Sequence, residues 1–307
     1  MQGESNPTTT PTISPYKLGI GLAVLGALAF SIKPVLLKLL LNQGIEPATL
    51  MTLRMAFALP IFLVVGYWSM RKQSAPLKSN RGAIIRAMFI GVLGYYIAAL
   101  LDLLGLQYIT AQFERMILFL YPTFVCVLGA LFFGETFTRR LLVALPLSYT
   151  GVVLIFLHDF SHFGEDAVTG GLLVLGGALC FAGYMLFSKA CIRQIGAAAF
   201  TSIAMGTASV FILVHFLVTQ DISDLYVSNE VLLIAFLIAV VATTAPSFLI
   251  SAAVARIGTS RTSIATSIGP ISTALFAVAI LGEAFTLNHA IGMALTLGGV
   301  LYLAREA

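Results

Sequence analysis

The chain has 307 residues, 59% of them hydrophobic and only 10% charged, with a mean hydropathy of +0.99. Soluble domains are about 45–50% apolar and about 25% charged, so the composition excludes disorder and argues against an ordinary soluble enzyme. The net charge of +4 would suit nucleic acid only if the basic residues formed one patch. They are instead scattered between apolar runs, and no nucleic-acid partner is expected.

In chain order, residues 1–16 are rich in Thr, Pro and Ser and are predicted to be a disordered N-terminus. No basic segment precedes the first apolar run and no small-residue cleavage site ends it, so that run is expected to be retained. Ten apolar runs then follow: Lys17–Leu41, Pro47–Met70, Ala83–Leu106, Ala111–Phe133, Leu141–Leu157, Gly170–Cys191, Ala197–Thr219, Val231–Val254, Thr262–Leu281 and Thr286–Ala304. A spanning helix needs about 20 apolar residues. The runs are continuous, whereas a membrane barrel would alternate over strands of about 10 residues. The expected fold is an all-α membrane protein of ten transmembrane helices. Cys126, Cys180 and Cys191 form no CxxC pair and read as free thiols packed as small hydrophobes.

Loop charge sets orientation. With a cytoplasmic N-terminus, Lys17, Arg71, Lys72, Lys78, Arg81, Arg86, Arg139, Arg140, Lys189, Arg193, Arg256, Arg261 and Arg305 all fall on the cytoplasmic side. The opposite loops hold Glu46, Asp159, Glu165, Asp166, Asp221, Asp224, Glu230 and Glu283, and no Lys or Arg. Both termini are therefore predicted to be cytoplasmic.

The chain repeats internally. Pro122 and Pro270, Gly134 and Gly282, Glu135 and Glu283, Phe137 and Phe285, and Gly151 and Gly299 share one offset. Gly19 and Gly170, Gly26 and Gly177, Phe30 and Phe181, and Lys38 and Lys189 share a second, three residues larger. Two copies of a five-helix unit, an odd number, must cross in opposite senses, and inverted repeats are a common plan among secondary transporters. With the Pro…Gly-Glu elements, the Ala29-Phe30-Ser31…Lys38 stretch and Glu114-Arg115-Met116-Ile117-Leu118-Phe119-Leu120-Tyr121-Pro122, the sequence resembles the EamA-type drug/metabolite transporters. The resemblance covers nearly everything after Pro15. It implies two EamA domains, placed at 17–157 and 168–305, and export of small metabolites or amino acids across a bacterial-type inner membrane. Phe30 stands where the family usually has Trp, a mild departure.

Five ionisable residues lie within the apolar runs of the first half: Lys33, Arg54, Asp102, Glu114 and Arg115. A central Arg, Lys or Asp costs roughly 2.5–3.5 kcal/mol on the insertion scale, so such residues mark a pathway or a buried pair. By helix rise they form one layer in the outer third of the membrane, with one cation in excess. Their repeat counterparts are uncharged: Tyr184 for Lys33, Ile250 for Asp102, Thr262 for Glu114 and Ser263 for Arg115. Lys33, which precedes Pro34, is the first candidate to hold an anionic substrate group. Glu114 and Arg115 point about 100° apart, and pairing of Arg115 with Asp102, or of Glu114 with Arg54, is expected beside a role in transport. Glu114 or Asp102 could carry a coupling proton. Lys38 is expected to reach the outer headgroups.

Asp102 shares a helical face with Tyr95, seven residues earlier. The resemblance places Tyr95, Phe181 and Tyr184 on the family's central helices 3 and 6, where they would line the substrate cavity. Pro122 and Pro270, in the middle of helices 4 and 9, are candidate hinges. Glu135 and Glu283 are expected to cap the helix that follows each. His158, Asp159 and His162 are read as a solvated outer loop, because no second set of ligands is evident, and no metal site is assigned. No P-loop, HExxH or GxSxG element occurs, and no cofactor is implied. The expected function is a secondary transporter using an ion gradient or exchange, with a small-molecule substrate and membrane lipids as partners. The alternatives are an intramembrane enzyme with Asp102 and Glu114 as acid and base, and a non-transporting scaffold.

Overall fold

The computed structural model describes residues 15–71, 81–134 and 139–304, which form helices joined by short turns, with no strand among them. Lys72, Lys78, Glu135, Arg305 and most of the expected disordered tail lie outside the described residues. The helical segments, in order, are α1 (Pro15–Ser31, resuming as Lys33–Asn42), α2 (Pro47–Arg71), and α3 (Arg81–Gly91, a π-turn Val92–Ile97, then Ala98–Leu106). Then come α4 (Ala111–Leu118, resuming as Tyr121–Phe133), α5 (Arg139–Phe163), α6 (Glu165–Ile195) and α7 (Ala197–Thr219). The last three are α8 (Asn229–Ala239, a π-turn Val240–Thr244, then Ala245–Thr266), α9 (Ile268–Phe276, then a π-turn Ala277–Leu281) and α10 (Leu287–Ala304). Eight stretches are long and apolar enough to cross a membrane; Ile268–Leu281 and Leu287–Leu303 are shorter apolar helices.

Several boundaries differ from those read in the sequence, for physical reasons. α1 starts at Pro15, inside the expected tail; proline suits the first turn of a helix because its missing N–H has no partner there. α5 does not stop at Leu157. It runs on to Phe163 and carries His158, Asp159 and His162, so these residues are helical and not in a loop. α6 spans 31 residues, about 47 Å at 1.5 Å per residue, against about 30 Å of hydrocarbon. Its extra turns are polar, with Glu165 and Asp166 in the first turn and Arg193 in the last, each matching the helix dipole. The chain remains helical through 255–261, where a loop separated the eighth and ninth runs in the sequence reading.

Two helices are broken, and each break has a proline just beyond it. α1 turns at Ile32 before Pro34. α4 turns at Phe119 and Leu120 before Pro122. A turn at Ser267 likewise precedes α9 and Pro270. Pro122 and Pro270 therefore sit in the first turn of a new segment, where loss of an N–H costs little, and not in mid-helix.

Packing joins the two halves of the chain throughout. α1 lies against α8, α3 against α6, α2 against α7, α4 against α9 and α5 against α10. Close approach needs small residues. At Gly94, in the α3 π-turn, a Cβ would stand 2.4 Å from the Cβ and Cγ of Tyr184 on α6.

Candidate functional site

The break in α1 organises a buried polar cluster. Pro34 has no N–H, so the carbonyl of Phe30, four residues earlier, has no helical donor. Arg115 Nη2 donates to that oxygen at 2.6 Å. Arg115 Nε donates to Thr273 Oγ1 at 3.1 Å, and Thr273 Oγ1 donates to the Ser31 carbonyl at 2.9 Å. Ser31 Oγ reaches the Gly269 carbonyl at 3.0 Å. The break is thus stitched by α4 of its own half and by α9 of the other.

The five ionisable residues of the first-half apolar runs gather here. Lys33 is 8% exposed, Arg54 4%, Asp102 5%, Glu114 0% and Arg115 8%, so each is shielded from water. Lys33 Nζ lies 3.5 Å from Asp102 Oδ2, the one ion pair among the described residues. The charges of Arg54, Glu114 and Arg115 also bear on that ammonium. Two cations lie near the Phe30 ring, with Lys33 Nζ 5.5 Å and Arg115 Cζ 5.4 Å from its centre. The pairings expected from sequence, Arg115 with Asp102 and Glu114 with Arg54, do not form. Arg115 is taken by the freed carbonyl and Thr273, and Lys33 takes the aspartate. Arg54 Nε is buried without a hydrogen-bond partner, and Asp102 Oδ1 and the Glu114 oxygens meet no N–H or hydroxyl donor, so the two carboxyls are bonded only when they share a proton. Glu114 also faces the Asp102 carboxyl.

An aromatic group adjoins the charges. Tyr184 Oη donates to Tyr95 Oη at 3.2 Å, with the rings edge to face at 4.8 Å. Phe181 stacks on Tyr184 at 5.5 Å and meets Tyr121 edge to face at 5.3 Å. Tyr95, Phe181 and Tyr184 are therefore one cluster between α3 and α6, two helical turns from Asp102. Tyr121 joins it; its place directly before Pro122 was the available signal.

At one end of the bundle a second polar network closes the helix ends. Lys38 Nζ donates to the carbonyls of Leu106 and Gln107 at 2.8 and 3.0 Å. It caps the C-terminus of α3 rather than reaching lipid headgroups, because unpaired carbonyls and the negative end of the dipole lie within its reach. Glu283 accepts the N–H groups of Ala111 and Gln112 at 2.7 and 3.2 Å. It caps α4, in the other half, and not the helix that follows it. Burial pushes the Glu283 carboxyl above its ordinary range, against the opposing pull of those two N–H groups. Asp159 Oδ2 accepts the Thr110 N–H at 3.0 Å and its hydroxyl at 2.9 Å. Thr110 Oγ1 in turn caps α4 through the Phe113 N–H at 3.1 Å.

The chain can be set beside known proteins. Residues 17–157 and 168–305 match the model of the EamA-like transporter family. An uncharacterized transporter of Bacillus subtilis (strain 168), YcbK, is 25% identical over 91% of this chain and 89% of its own length. An uncharacterized transporter of Methanothermobacter thermautotrophicus is 27% identical over 76% of this chain and 68% of its own. A protein crystal structure with 15% sequence identity superposes with a TM-score of 0.65, covering 94% of this chain and 98% of the other, so the fold is shared. Together with the helical bundle and its apolar spans, these matches identify an integral membrane protein: the chain belongs to the EamA-like transporter family.

Proposed function

We propose that the protein is a secondary transporter of ten membrane-spanning helices in two inverted repeats, 17–157 and 168–305, that exports small anionic metabolites or amino acids by alternating access. The proposed setting is a bacterial-type inner membrane with both termini cytoplasmic. Repeat symmetry supports the architecture. The π-turns at Val92 and Val240, the helix breaks at Phe119 and Ser267, and the left-handed glycines Gly134 and Gly282 all share the offset of the paired prolines. The packing pairs are also those a twofold exchange of the halves would produce: α1 with α8 becomes α6 with α3, and the other three pairs map onto themselves.

The observation that carries the functional reading is the buried charge imbalance at the α1 break. Three cations, Lys33, Arg54 and Arg115, face two carboxyls, Asp102 and Glu114. Arg115 is held by two hydrogen bonds, to Phe30 and Thr273, whereas Lys33 holds Asp102 by a single 3.5 Å contact. An anionic group of a substrate can therefore compete for Lys33, and the excess positive charge favours it. Tyr95, Phe181 and Tyr184 would cover the apolar part of the same solute. Glu114 takes the coupling proton: two carboxyl groups in contact hold one proton more readily than two negative charges. Pro122 and Pro270 serve as hinges at the breaks they follow.

The test is solute exchange. Media from overexpressing and deleted cells identify the exported solutes, and inverted vesicles then measure uptake by wild type and Lys33→Ala. Loss of uptake with the protein still folded is expected. Unchanged transport of every accepted solute would remove Lys33 from the site.

A further inference from the structure

Where the end of α5 meets the start of α10, three side chains converge that the transport site does not use. Donor atoms of His158, Asp159 and His289 all lie within 4.8 Å of one another. Asp159 is 0% exposed and His289 1%. The rings of His158 and His289 meet edge to face at 4.5 Å.

Two donor atoms in this cluster have no partner. Asp159 Oδ2 is held by Thr110, but Oδ1 is buried without a hydrogen bond. His289 Nδ1 is 2.8 Å from Thr286 Oγ1, with the Thr286 N–H approaching at 3.3 Å, while Nε2 is buried without a partner. A buried polar atom left unsatisfied costs about 1–3 kcal/mol, and native proteins leave few of them. A cation between the two atoms would satisfy both.

We propose that His158, Asp159 and His289 bind a transition-metal ion, and that its chemistry is that of zinc. Two imidazoles and one carboxylate suit Zn²⁺, whereas calcium and magnesium prefer all-oxygen sets. Tetrahedral donors about 2.0–2.2 Å from zinc stand about 3.4 Å apart, a small closure from the span seen here. Both buried ligands have an orienting shell. Thr110 fixes Asp159, and Thr286 lies against the Nδ1 side of His289; metal binding through Nε2 requires the Nδ1–H tautomer, with Nδ1 donating to the Thr286 hydroxyl in place of accepting the Thr286 N–H. A water would complete the four donors. An ion here joins α5 to α10, while Asp159 keeps its hold on the start of α4.

Zinc titration of the purified full-length protein in detergent, by calorimetry and by metal retained after desalting, tests the site without any transport assay. One zinc per chain is expected. Asp159→Asn, which keeps an acceptor for Thr110, and His289→Ala should each weaken binding more than about tenfold. His215→Ala, at a histidine paired elsewhere with Tyr96, should leave it unchanged. Cobalt in the wild type gives a check that needs no variant: intense visible bands of a four-coordinate ion are expected. A folded wild type that binds no zinc, equal binding by Asp159→Asn and His289→Ala, or a weak octahedral cobalt spectrum would each overturn the proposal. The cluster would then be a buried His289–Asp159 hydrogen bond.

Discussion

Arg115 Nη2 fills the carbonyl of Phe30 at 2.6 Å, the oxygen that Pro34 deprives of its helical donor. A proline and an arginine 81 positions apart in the sequence thus form one device, a helix break and its plug. Removing the plug leaves a buried acceptor unmet, at about 1–3 kcal/mol. Restoring the donor should relieve it. Arg115→Ala is therefore expected to lower the melting temperature in detergent, and to lower it less in a Pro34→Ala background, where residue 34 has an N–H for Phe30. Additive effects in that double-mutant cycle would show that the two residues are not coupled.

The Lys33–Asp102 pair separates stability from function. Breaking a buried pair from one side strands a charge, at about 3–5 kcal/mol, whereas replacing both partners with apolar groups is often neutral. Lys33→Met with Asp102→Leu should melt nearer the wild type than Asp102→Leu alone, yet transport no anionic solute. A double variant that transports normally would rule the pair out of the mechanism.

Glu283 supplies a pH test. Its carboxyl sits above the ordinary value in the fold, so its contribution to stability is complete below the free-glutamate value of 4.5 and is lost as pH rises through the higher folded value. Glu283→Gln mimics the neutral form. The wild type should therefore lose thermal stability relative to this variant as pH climbs from 4.5. Glu283→Ala, which uncaps Ala111 and Gln112, should be less stable than Glu283→Gln by about 1 kcal/mol at every pH. Parallel melting curves for wild type and Glu283→Gln would contradict this.

Gly94 tests the contact between α3 and α6. Gly94→Ala places a methyl group 2.4 Å from the Tyr184 Cβ, so it should separate the helices, destabilise the protein and disturb the Tyr95–Tyr184 pair. Gly206→Ala, where nothing lies within 4 Å of the added Cβ, should be neutral or stabilising by up to about 1 kcal/mol. Thermal melts of the two variants compare them directly, and an equal response would discount the steric argument.

What could be read in the sequence was what bilayer solvation penalises. Charges in apolar runs are expensive, so Lys33, Arg54, Asp102, Glu114 and Arg115 stood out singly, and helix rise put them at a common depth. Their partners could not be read, because pairing depends on helix rotation and on a carbonyl that only the α1 break frees. Asp159 and His158 looked like loop residues because they end an apolar run. In the structure they ride on two further turns of α5, with Asp159 buried against the start of α4 and His158 half-buried beside His289 of α10. His289 drew no attention as a lone histidine in a short apolar helix; only the tertiary fold brings it to residues 158 and 159. Lys38 was placed by depth alone, which ignores the nearby end of α3.

The stitching of the α1 break has a consequence for biogenesis. Arg115 waits for Thr273, 158 residues later, and the Ser31 carbonyl waits for the same hydroxyl across 242 residues. When the ribosome has delivered the first five helices, the costliest side chains are already in the membrane and Arg115 still lacks Thr273. The amino-terminal half is in that sense an unfinished insertion product. It should be an early target for membrane quality control whenever synthesis stops before α9.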